Sequence, residues 1–299
     1  MPPLPSDRRP NLIAVFGPTA SGKTAVAEAL ADRLGTEVVS ADAMQTYRGL
    51  PILTNQPQRS TRLVAIWPLS HAGSVGEYQA LAHASVDELL AASRAAVVAG
   101  GTGLYLRAAL ADLRLPPAPG AGSRERWESV YDADPPAAHE RLAGLDPAAA
   151  GRVHPNDRRR VVRALELAEA GSSLVPRDDR LWSDGLRRPA TIVGLDVPAG
   201  ELERRIAART AAMFADGVIE EVKAALAAEI SKTAAKTLGL DEVAGLAPAE
   251  AQARIVVRTR QYAAYQRKWM RRIPGLVTVD ATRPVPEVVD AVLEVARAR

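Results

Sequence analysis

The sequence predicts an α/β fold, in which a P-loop NTPase-like parallel sheet is flanked by helices and carries a helical insertion domain. Short apolar runs alternate with helical patterns through the first third of the chain, as they do in parallel βαβ units. The run at 12–16 leads directly into a glycine-rich phosphate-loop pattern at 17–24. A proline-rich segment at 115–120 then separates these units from a long stretch with helical patterning.

The composition is that of a globular chain of 299 residues, of which 47% are hydrophobic and 24% charged. It contains no cysteine, which excludes disulfides, thiolate zinc sites and a cysteine nucleophile. There is no apolar run of about 18 residues, and residues 1–9 lack the apolar segment of a secretion signal. We therefore expect no membrane partner and a cytoplasmic location.

The expected core begins with the strand at 12–16 and a helix that carries Val26, Leu30 and Leu34 on one side. The next elements are strands at 37–40, 63–66 and 95–99, a helix at 85–94 and a helix from 104. After the proline-rich segment come a helical region at 123–171, with breaks at Pro135 and Pro147, and a loop at 171–189. The remaining expected elements are a strand at 191–195, helices at 201–215, 218–229 and 249–272, a strand at 276–279 and a helix at 286–297. The strand at 191–195 is expected to return to the first sheet. The predicted domains are therefore a core of 11–115 and 190–299, with the C-terminal helices, and an insertion at 116–189.

The phosphate-loop pattern points to a diphosphate or triphosphate ligand. It comprises Gly17, Pro18, Thr19, Ala20, Ser21, Gly22, Lys23 and Thr24. Its glycines allow a tight turn whose backbone N–H groups face phosphate oxygens, and the helix N-terminus behind it adds partial positive charge. Lys23 supplies a full charge, and the Thr24 hydroxyl can hold Mg²⁺. The alternative is a glycine-rich turn without a ligand. The pattern does not by itself distinguish kinases, ATPases and transferases.

Asp42 follows the apolar pair Val38 and Val39, which places it at the carboxyl end of the second strand. Ligands bind at this edge of an open parallel sheet. A carboxylate there could hold Mg²⁺, orient a nucleophile or accept a proton. The alternative is a turn or helix-capping aspartate.

Basic residues are concentrated at 158–163 and 254–272, although the net charge is only +3. Such clusters indicate either a solvated helix face or a phosphate-rich partner such as RNA. In the second cluster, Ile255, Tyr262, Trp269 and Ile273 share one side of a helix, and we expect this stripe to be core rather than a stacking surface. The lone His154 is expected to have a structural or RNA-contacting role rather than a catalytic one.

Five sequence blocks, in order, resemble the tRNA dimethylallyltransferases, also called tRNA isopentenyltransferases, over residues 11–280. Besides the phosphate loop they are Ser-Ala-Asp-Ala-Met-Gln-Thr-Tyr-Arg-Gly at 40–49, Gly-Gly-Thr-Gly-Leu-Tyr-Leu at 100–106, His-Pro-Asn-Asp-Arg-Arg-Arg at 154–160 with the helix behind it, and Arg-Thr-Arg-Gln-Tyr-Ala at 258–263 with Gln-Arg-Lys-Trp at 266–269. The blocks at 154–160 and 258–263 are far more specific than the phosphate loop.

The resemblance implies transfer of a dimethylallyl group from dimethylallyl diphosphate to N6 of adenosine 37 in tRNA, with Mg²⁺ as cofactor. We expect Thr24 to hold the Mg²⁺ ion and the protein to be a monomer. It implies that 17–24 and Arg209 bind the diphosphate, and that Asp42 is the general base among the catalytic residues Asp42, Lys23, Thr24 and Arg209. The tRNA contacts it implies are Asp42, Ala43, Met44, Gln45, Thr102, Arg124, Arg159, Arg160, Val161, Val162 and Arg163.

The chain departs from the family pattern at four places, all on the substrate side. Ala43 stands where serine is usual, and Leu-Thr-Asn-Gln-Pro at 53–57 stands where Gly-Thr-Ala-Lys-Pro is usual. The segment 62–70 lacks the usual histidine-rich stretch, and Lys-Thr-Leu-Gly-Leu at 236–240 only loosely matches a Gly-Tyr motif.

Three other functions share the phosphate loop. They are a small-molecule or nucleotide kinase, an adenylate isopentenyltransferase that uses free AMP, and a nucleic-acid-binding NTPase without prenyl chemistry. These functions can be distinguished by testing dimethylallyl diphosphate or ATP, each with tRNA or AMP, and observing which pair of substrates reacts.

Overall fold

A computed structural model describes residues 11–115, 120, 122–175 and 181–298. Its single described sheet has five strands, all parallel: β1 (Asn11–Phe16), β2 (Val38–Ser40), β3 (Ala95–Gly100), β4 (Ala190–Asp196) and β5 (Val277–Asp280). They lie side by side in the order β2-β3-β1-β4-β5. The predicted return of the chain to the first sheet is confirmed, because β4 pairs with β1. The carboxyl ends of β2, β3 and β1 are consecutive along one edge, which brings the loops that follow them together.

The helices are α1 (Lys23–Leu34), α2 (Val75–Ser93), α3 (Gly103–Leu110), α4 (Ser123–Ala133), α5 (Pro135–Leu145), α6 (Pro147–Ala150), α7 (Arg158–Glu169), α8 (Ala199–Ala215), α9 (Val218–Leu226), α10 (Leu240–Gly245), α11 (Pro248–Met270) and α12 (Val285–Arg297), with a 3-10 turn at Ala234–Lys236. The predicted α/β class, a parallel sheet flanked by helices, is confirmed. In the core, alternate β1 residues such as Ile13 and Val15 pack with Leu30 of α1 and Val292 of α12.

Two predicted elements differ from the structure. The helix predicted at 85–94 is longer and begins at Val75, because the Ser74 hydroxyl caps it by accepting a hydrogen bond from the Glu77 N–H. The strand predicted at 63–66 is wrong. Leu63 and Ala65 have φ angles of 65° and 53°, which turn the chain out of extended conformation, so only isolated bridges form around them.

The chain divides into two compact units, Met1–Leu113 with Leu181–Arg299, and Arg114–Arg180. The predicted insertion, 116–189, therefore extends beyond the second unit. Residues after Leu181 cluster with the first unit, where Trp182 stacks on Trp269 and Arg187 pairs with Asp87.

The regular elements among the described residues of the second unit are all helices, and these residues contain no strand. Both predicted breaks are confirmed, because Pro135 and Pro147 each occupy the first turn of a new helix. Asp134 and Asp146 cap these helices through backbone N–H groups. The core of this unit contains Tyr131, Ala138, Leu142, Val153, Val161, Val162, Ala164 and Leu165.

Candidate active site

The loops after β2, β3 and β1 border a cavity of about 470 Å³ in the first unit. Helices α8 and α11 supply its other walls. The cavity is lined by Thr19, Ala20, Gly22, Lys23, Thr24, Ala25, Asp42, Met44, Gln45, Leu53, Thr54, Asn55, Ala99, Gly100, Arg205, Arg209, Thr210, Met213, Leu238, Ile255, Thr259, Tyr262 and Gln266. Most of the residues predicted for the diphosphate and for catalysis are therefore brought together in one place.

The phosphate loop turns tightly between β1 and α1. Gly22 has a φ of 87°, in the left-handed region that glycine tolerates, and α1 begins at the next residue. Gly17 packs closely against Ser21, and a side chain would not fit there because an added Cβ would lie 2.7 Å from Ser21 Oγ. Ala20 also has a positive φ, of 63°, which is uncommon for a residue with a side chain. This backbone directs the start of α1, with its free N–H groups, toward the cavity.

The Lys23 side chain lines the cavity, where its ammonium group loses its proton more easily than it would in water. Its Nζ donates a hydrogen bond to the carbonyl oxygen of Pro18 at 2.8 Å. Burial lowers the pKa of Lys23 to about 8; the Asp42 carboxylate opposes this shift, and the Arg209 guanidinium adds to it. An anion in the cavity would favour the charged ammonium, so this lysine is prepared for a negatively charged ligand.

Arg209 reaches the phosphate loop from α8. Its Nη2 donates a hydrogen bond to Thr19 Oγ1 at 2.6 Å. Its Nε is buried without a hydrogen-bond partner among the described residues, and burial lowers the pKa of this guanidinium while Asp42 raises it. A buried cationic donor left unpaired costs free energy, which a bound anion would offset.

Asp42 belongs to a turn that is tied to the neighbouring loop. Its Oδ1 accepts a hydrogen bond from the backbone N–H of Met44 at 3.1 Å, so the turn role that the sequence left open is present. Among the described residues, Asp42 Oδ2 has no hydrogen-bond partner, so this carboxylate oxygen remains available at the cavity. The adjacent Ala43 N–H donates to Thr102 Oγ1 at 3.2 Å, which joins this turn to the loop after β3.

Gln45 has a structural role in the structure. Its side-chain oxygen accepts a hydrogen bond from Ser40 Oγ at 3.1 Å, and its Nε2 donates to the carbonyl oxygen of Asn55 at 2.9 Å. Met44, one residue earlier, lines the cavity. The predicted block at 42–45 thus lines the cavity and also holds the 53–55 segment in place through a hydrogen bond.

Gln266 is a site residue to which the sequence assigned no role. It is 2% exposed on α11; its Oε1 accepts a hydrogen bond from the Thr19 N–H at 2.7 Å, and its Nε2 donates to the carbonyl oxygen of Gly101 at 2.9 Å. The amide therefore connects the phosphate loop to the loop after β3. Its position four residues after Tyr262, on the same helix face, is the signal that could have revealed it.

Tyr262 and Trp269 are not core residues, contrary to the sequence prediction. Ile255 and Ile273 are buried as predicted, whereas Tyr262 and Trp269 are half-buried. The Tyr262 hydroxyl lies 3.4 Å from Thr102 Oγ1 and faces the cavity. Burial raises the pKa of Tyr262, with a further contribution from the Asp42 charge, so this phenol stays protonated near neutral pH.

The apolar end of the cavity contains two of the segments that depart from the family pattern. Leu53, Met213, Leu238 and Ile255 line it. The backbone N–H groups of Ile52 and Leu53 donate to the Glu221 carboxylate at 2.6 and 2.8 Å, which fixes the Leu53 side chain in place. Gly239 packs against it, since an added Cβ there would lie 2.9 Å from Leu53 Cδ1.

The residues predicted to contact tRNA in the second unit have different environments. Arg159 and Arg160 are exposed at the start of α7, where the Asp157 side chain caps the helix through the Arg160 N–H. Arg163 and Arg124 both approach the buried carboxylate of Glu166, at 3.0 and 3.6 Å. His154 is exposed, and its Nδ1 accepts a hydrogen bond from the Asn156 N–H.

Val161 and Val162 require a correction. The structure places both side chains in the core of the second unit, 0% and 1% exposed, so they cannot present a side-chain surface to RNA. They lie on the inner side of α7, which is why the adjacent Arg159 and Arg160 face outward.

No group of three or more histidine or carboxylate side chains in the described ranges could hold a metal ion alone. Thr24 and Asp42 both line the cavity, and Mg²⁺ commonly takes few protein ligands when phosphates and water supply the rest. The residues therefore fit a Mg²⁺ ion bound together with a diphosphate. None of the helices in the described ranges is long and apolar enough to cross a membrane.

The fold and the cavity define a phosphate-loop protein that carries a carboxylate, a lysine and an arginine on one cavity. A family model described as IPP transferase matches residues 45–273, and one described as Isopentenyl transferase matches residues 10–63. The chain belongs to the IPP transferase family.

Named relatives cover most of the chain. The tRNA dimethylallyltransferase of Anaeromyxobacter sp. (strain Fw109-5) is 42% identical over 283 residues, which are 89% of this chain and 93% of that protein. The tRNA dimethylallyltransferase of Salinispora tropica is 39% identical over 284 residues, 90% of this chain and 88% of that protein. The crystal structure of the full-length tRNA isopentenylpyrophosphate transferase from Bacillus halodurans matches with a TM-score of 0.69 and 28% identity, covering 97% of each chain.

Proposed function

We propose that this chain transfers a dimethylallyl group from dimethylallyl diphosphate to N6 of adenosine 37 in tRNA. The main support for the proposal is that Lys23, Arg209 and Asp42 line the same cavity, in a chain that belongs to the IPP transferase family. The phosphate loop alone would equally suit a kinase. Family membership and a carboxylate beside the anion site favour transfer to a nucleophile that must lose a proton.

The diphosphate binds between the phosphate loop and α8. Loop N–H groups, Lys23 and Arg209 surround its oxygens. The Thr24 hydroxyl would help to hold a Mg²⁺ ion, which would neutralise further charge. As the C–O bond breaks, negative charge builds on the departing diphosphate and positive charge spreads over the allyl group. Donors already in place for that charge stabilise the transition state without reorganisation.

The acceptor is the exocyclic amine of adenine, which is a weak nucleophile because its lone pair is delocalised into the ring. Asp42 accepts a proton from this amine as the new N–C bond forms. General-base assistance of this kind contributes typically about 10²–10⁴-fold to the rate. The products are prenylated adenosine, diphosphate and a protonated carboxyl group, which returns its proton to water.

The dimethylallyl tail lies against the apolar end of the cavity. Leu53, Met213, Leu238 and Ile255 offer a surface without polar groups there. An apolar wall also excludes water from the allylic cation, which water would otherwise trap as an alcohol.

The tRNA is held by the second unit and by the basic side of α11. Arg159 and Arg160 are exposed and can contact phosphates, as can Arg254, Lys268, Arg271 and Arg272 on α11 and just beyond it. The protein works as a monomer in the cytoplasm, where mature tRNA is found.

Four parallel reactions test the proposal. The protein is incubated with dimethylallyl diphosphate or ATP, each with tRNA or AMP, and the nucleosides are analysed by mass spectrometry. We expect adenosine carrying one dimethylallyl group only with dimethylallyl diphosphate and tRNA. Product from AMP would assign an adenylate isopentenyltransferase, and phosphoryl transfer from ATP without a prenylated product would assign a kinase or NTPase.

A further inference from the structure

Three aromatic side chains and one arginine form a continuous surface at the C-terminal end of α11, which we call the aromatic platform. It consists of Tyr265, Trp269, Trp182 and Arg272. The Trp182 and Trp269 rings lie 4.8 Å apart between centroids at an interplanar angle of 38°, and Tyr265 meets Trp269 edge-on at 6.4 Å. The Arg272 guanidinium lies 3.8 Å from the centroid of the Trp182 ring. The platform is therefore built of aromatic and cationic planes.

The outer part of this surface is open to solvent. Tyr265 is 54% exposed, and its hydroxyl has no hydrogen-bond partner among the described residues. Trp269 and Trp182 are half-buried. Aromatic side chains of this kind are the surfaces on which unpaired bases of RNA stack, because every base presents a flat π face.

The platform begins at the wall of the cavity. Trp269 lies directly on the backbone of Gly103, where an added Cβ would be 2.2 Å from the indole. Gly103 follows Thr102, whose hydroxyl contacts both the Tyr262 hydroxyl and the backbone beside Asp42. From Tyr262 to the end of α11 at Met270 the helix rises roughly 12 Å, at about 1.5 Å per residue. A nucleotide next to one whose base enters the cavity would lie within this distance.

The charge around the platform identifies its occupant as nucleic acid. Lys268, Arg271 and Arg272 are exposed and form no ion pair with any carboxylate in the part of the chain that the structure describes. An apolar protein surface would leave these cations unmatched, whereas the phosphates of a nucleotide on the platform would neutralise them.

We infer that the aromatic platform stacks an unpaired base of the RNA substrate, adjacent in the strand to the adenosine that enters the cavity. This inference rests on the proposed function, since it supposes an RNA acceptor. Stacking on Tyr265 and Trp269 holds the neighbouring base out of the RNA stack, which helps to present the target adenosine to Asp42.

The test is a double-mutant cycle between protein and RNA. The RNA is a synthetic anticodon stem–loop with adenosine at the target position, and matched versions carry an abasic nucleotide on either side of it. Affinity for each RNA is measured by fluorescence anisotropy for the wild type, Tyr265→Ala, Tyr265→Phe and Val257→Ala. Val257 is a suitable control because it is also exposed on α11, at 49%, but is not part of the platform. Prenyl transfer to the intact RNA is measured separately.

We expect Tyr265→Ala to weaken binding of the intact RNA about tenfold, and Tyr265→Phe and Val257→Ala to change it less than about twofold. The abasic change at the stacked position should weaken wild-type binding similarly but have little further effect on Tyr265→Ala. Because stacking releases no counterions, the salt dependence of Tyr265→Ala should equal that of the wild type.

Equal affinities for Tyr265→Ala and wild type would overturn the platform, as would an abasic penalty of the same size in both proteins. An equal loss in Tyr265→Phe would assign the effect to the hydroxyl and also overturn stacking. If the wild type prenylates the RNA in any of these cases, the proposed function stands. If the wild type forms no prenylated RNA, the proposed function fails, whatever the binding data show.

Discussion

The backbone N–H of Thr19 donates a hydrogen bond to the side-chain oxygen of Gln266 at 2.7 Å, across 247 residues of sequence. The other half of the same amide donates to Gly101. A helix near the end of the chain thus sets the distance between the phosphate loop and the loop after β3. Gln266 is a positioning residue, because it touches both loops that border the cavity.

Replacing Gln266 should therefore affect the donor site more than RNA binding. Gln266→Ala leaves the Thr19 N–H and the Gly101 carbonyl without their partner, at a cost of about 1–3 kcal/mol per buried group. We expect a lower melting temperature and a KM for dimethylallyl diphosphate raised at least tenfold. Gln266→Glu keeps the acceptor for Thr19 but adds negative charge beside the diphosphate site, so it should raise KM further. Unchanged KM in both variants would contradict the positioning role.

Removing the carboxylate of Asp42 should slow chemistry without weakening RNA binding. We expect Asp42→Ala and Asp42→Asn to lower kcat by about 10²–10⁴-fold. Asp42→Asn is the sharper variant, because its amide oxygen can still accept the Met44 N–H that holds the turn. Single-turnover kinetics and RNA affinity measured side by side would test this. A near-normal rate in Asp42→Asn would show that another group takes the proton.

Binding of dimethylallyl diphosphate should take up a proton on the alkaline side of neutrality. Burial lowers the pKa of Lys23 from 10.5 to about 8, so free protein at pH 9 carries mostly neutral Lys23. A bound anion raises that pKa again, and the ammonium then regains its proton. Calorimetry at pH 9 in two buffers of different ionisation enthalpy measures the uptake, and affinity should fall as the pH rises above about 8. Lys23→Met should bind weakly and show no uptake; uptake that persists in this variant would point to another group.

Leu53 should limit the length of the prenyl donor. Its side chain closes the apolar end of the cavity against Gly239. We expect Leu53→Ala to raise the ratio of kcat/KM for geranyl diphosphate over dimethylallyl diphosphate by about tenfold or more, since steric exclusion in an apolar pocket is relieved. Leu53→Met, which conserves volume, serves as the control. If the ratio is the same in all three proteins, the tail lies elsewhere.

The exposed arginines of α7 should contribute to the salt dependence of tRNA binding. Replacing Arg159 and Arg160 by Gln should reduce the log–log slope of affinity against salt by up to about 1.8, because each duplex phosphate contact contributes about 0.9. Arg163 is left in place, because it pairs with the buried Glu166 and its loss would destabilise the unit. Arg158→Gln is a matched control, since Arg158 already pairs with Asp132. Identical slopes would mean that tRNA docks on other residues.

Local patterns were enough to predict the sheet, most helices and the phosphate loop. Each of these depends on residues close in sequence, such as the apolar run at 12–16 and the glycines behind it. The strand predicted at 63–66 is wrong because its apolar residues are typical of a strand, whereas the left-handed backbone at Leu63 and Ala65 cannot be predicted from composition.

Long-range contacts explain what the sequence did not reveal about the candidate site. The role of Gln266 depends on two loops more than 160 residues away. Its spacing from Tyr262 indicates only that the two side chains share a helix face, and it does not indicate which loops the amide joins. The burial of Val161 and Val162 follows from how α7 packs on its neighbours, whereas the resemblance to the family treats 159–163 as one contacting segment. For Arg209, by contrast, only that resemblance predicts a role in the site.

At two glycines near the carboxyl edge of the sheet, the surrounding atoms pack too closely to admit a side chain. An added Cβ at Gly100 would lie 2.1 Å from the carbonyl oxygen of Ala41, and at Gly103 it would meet Trp269. In genetic terms, any missense allele at these codons introduces at least a Cβ and forces the loops apart. A screen of natural or random variants should therefore recover loss-of-function alleles at glycine codons whose residues carry no reacting group.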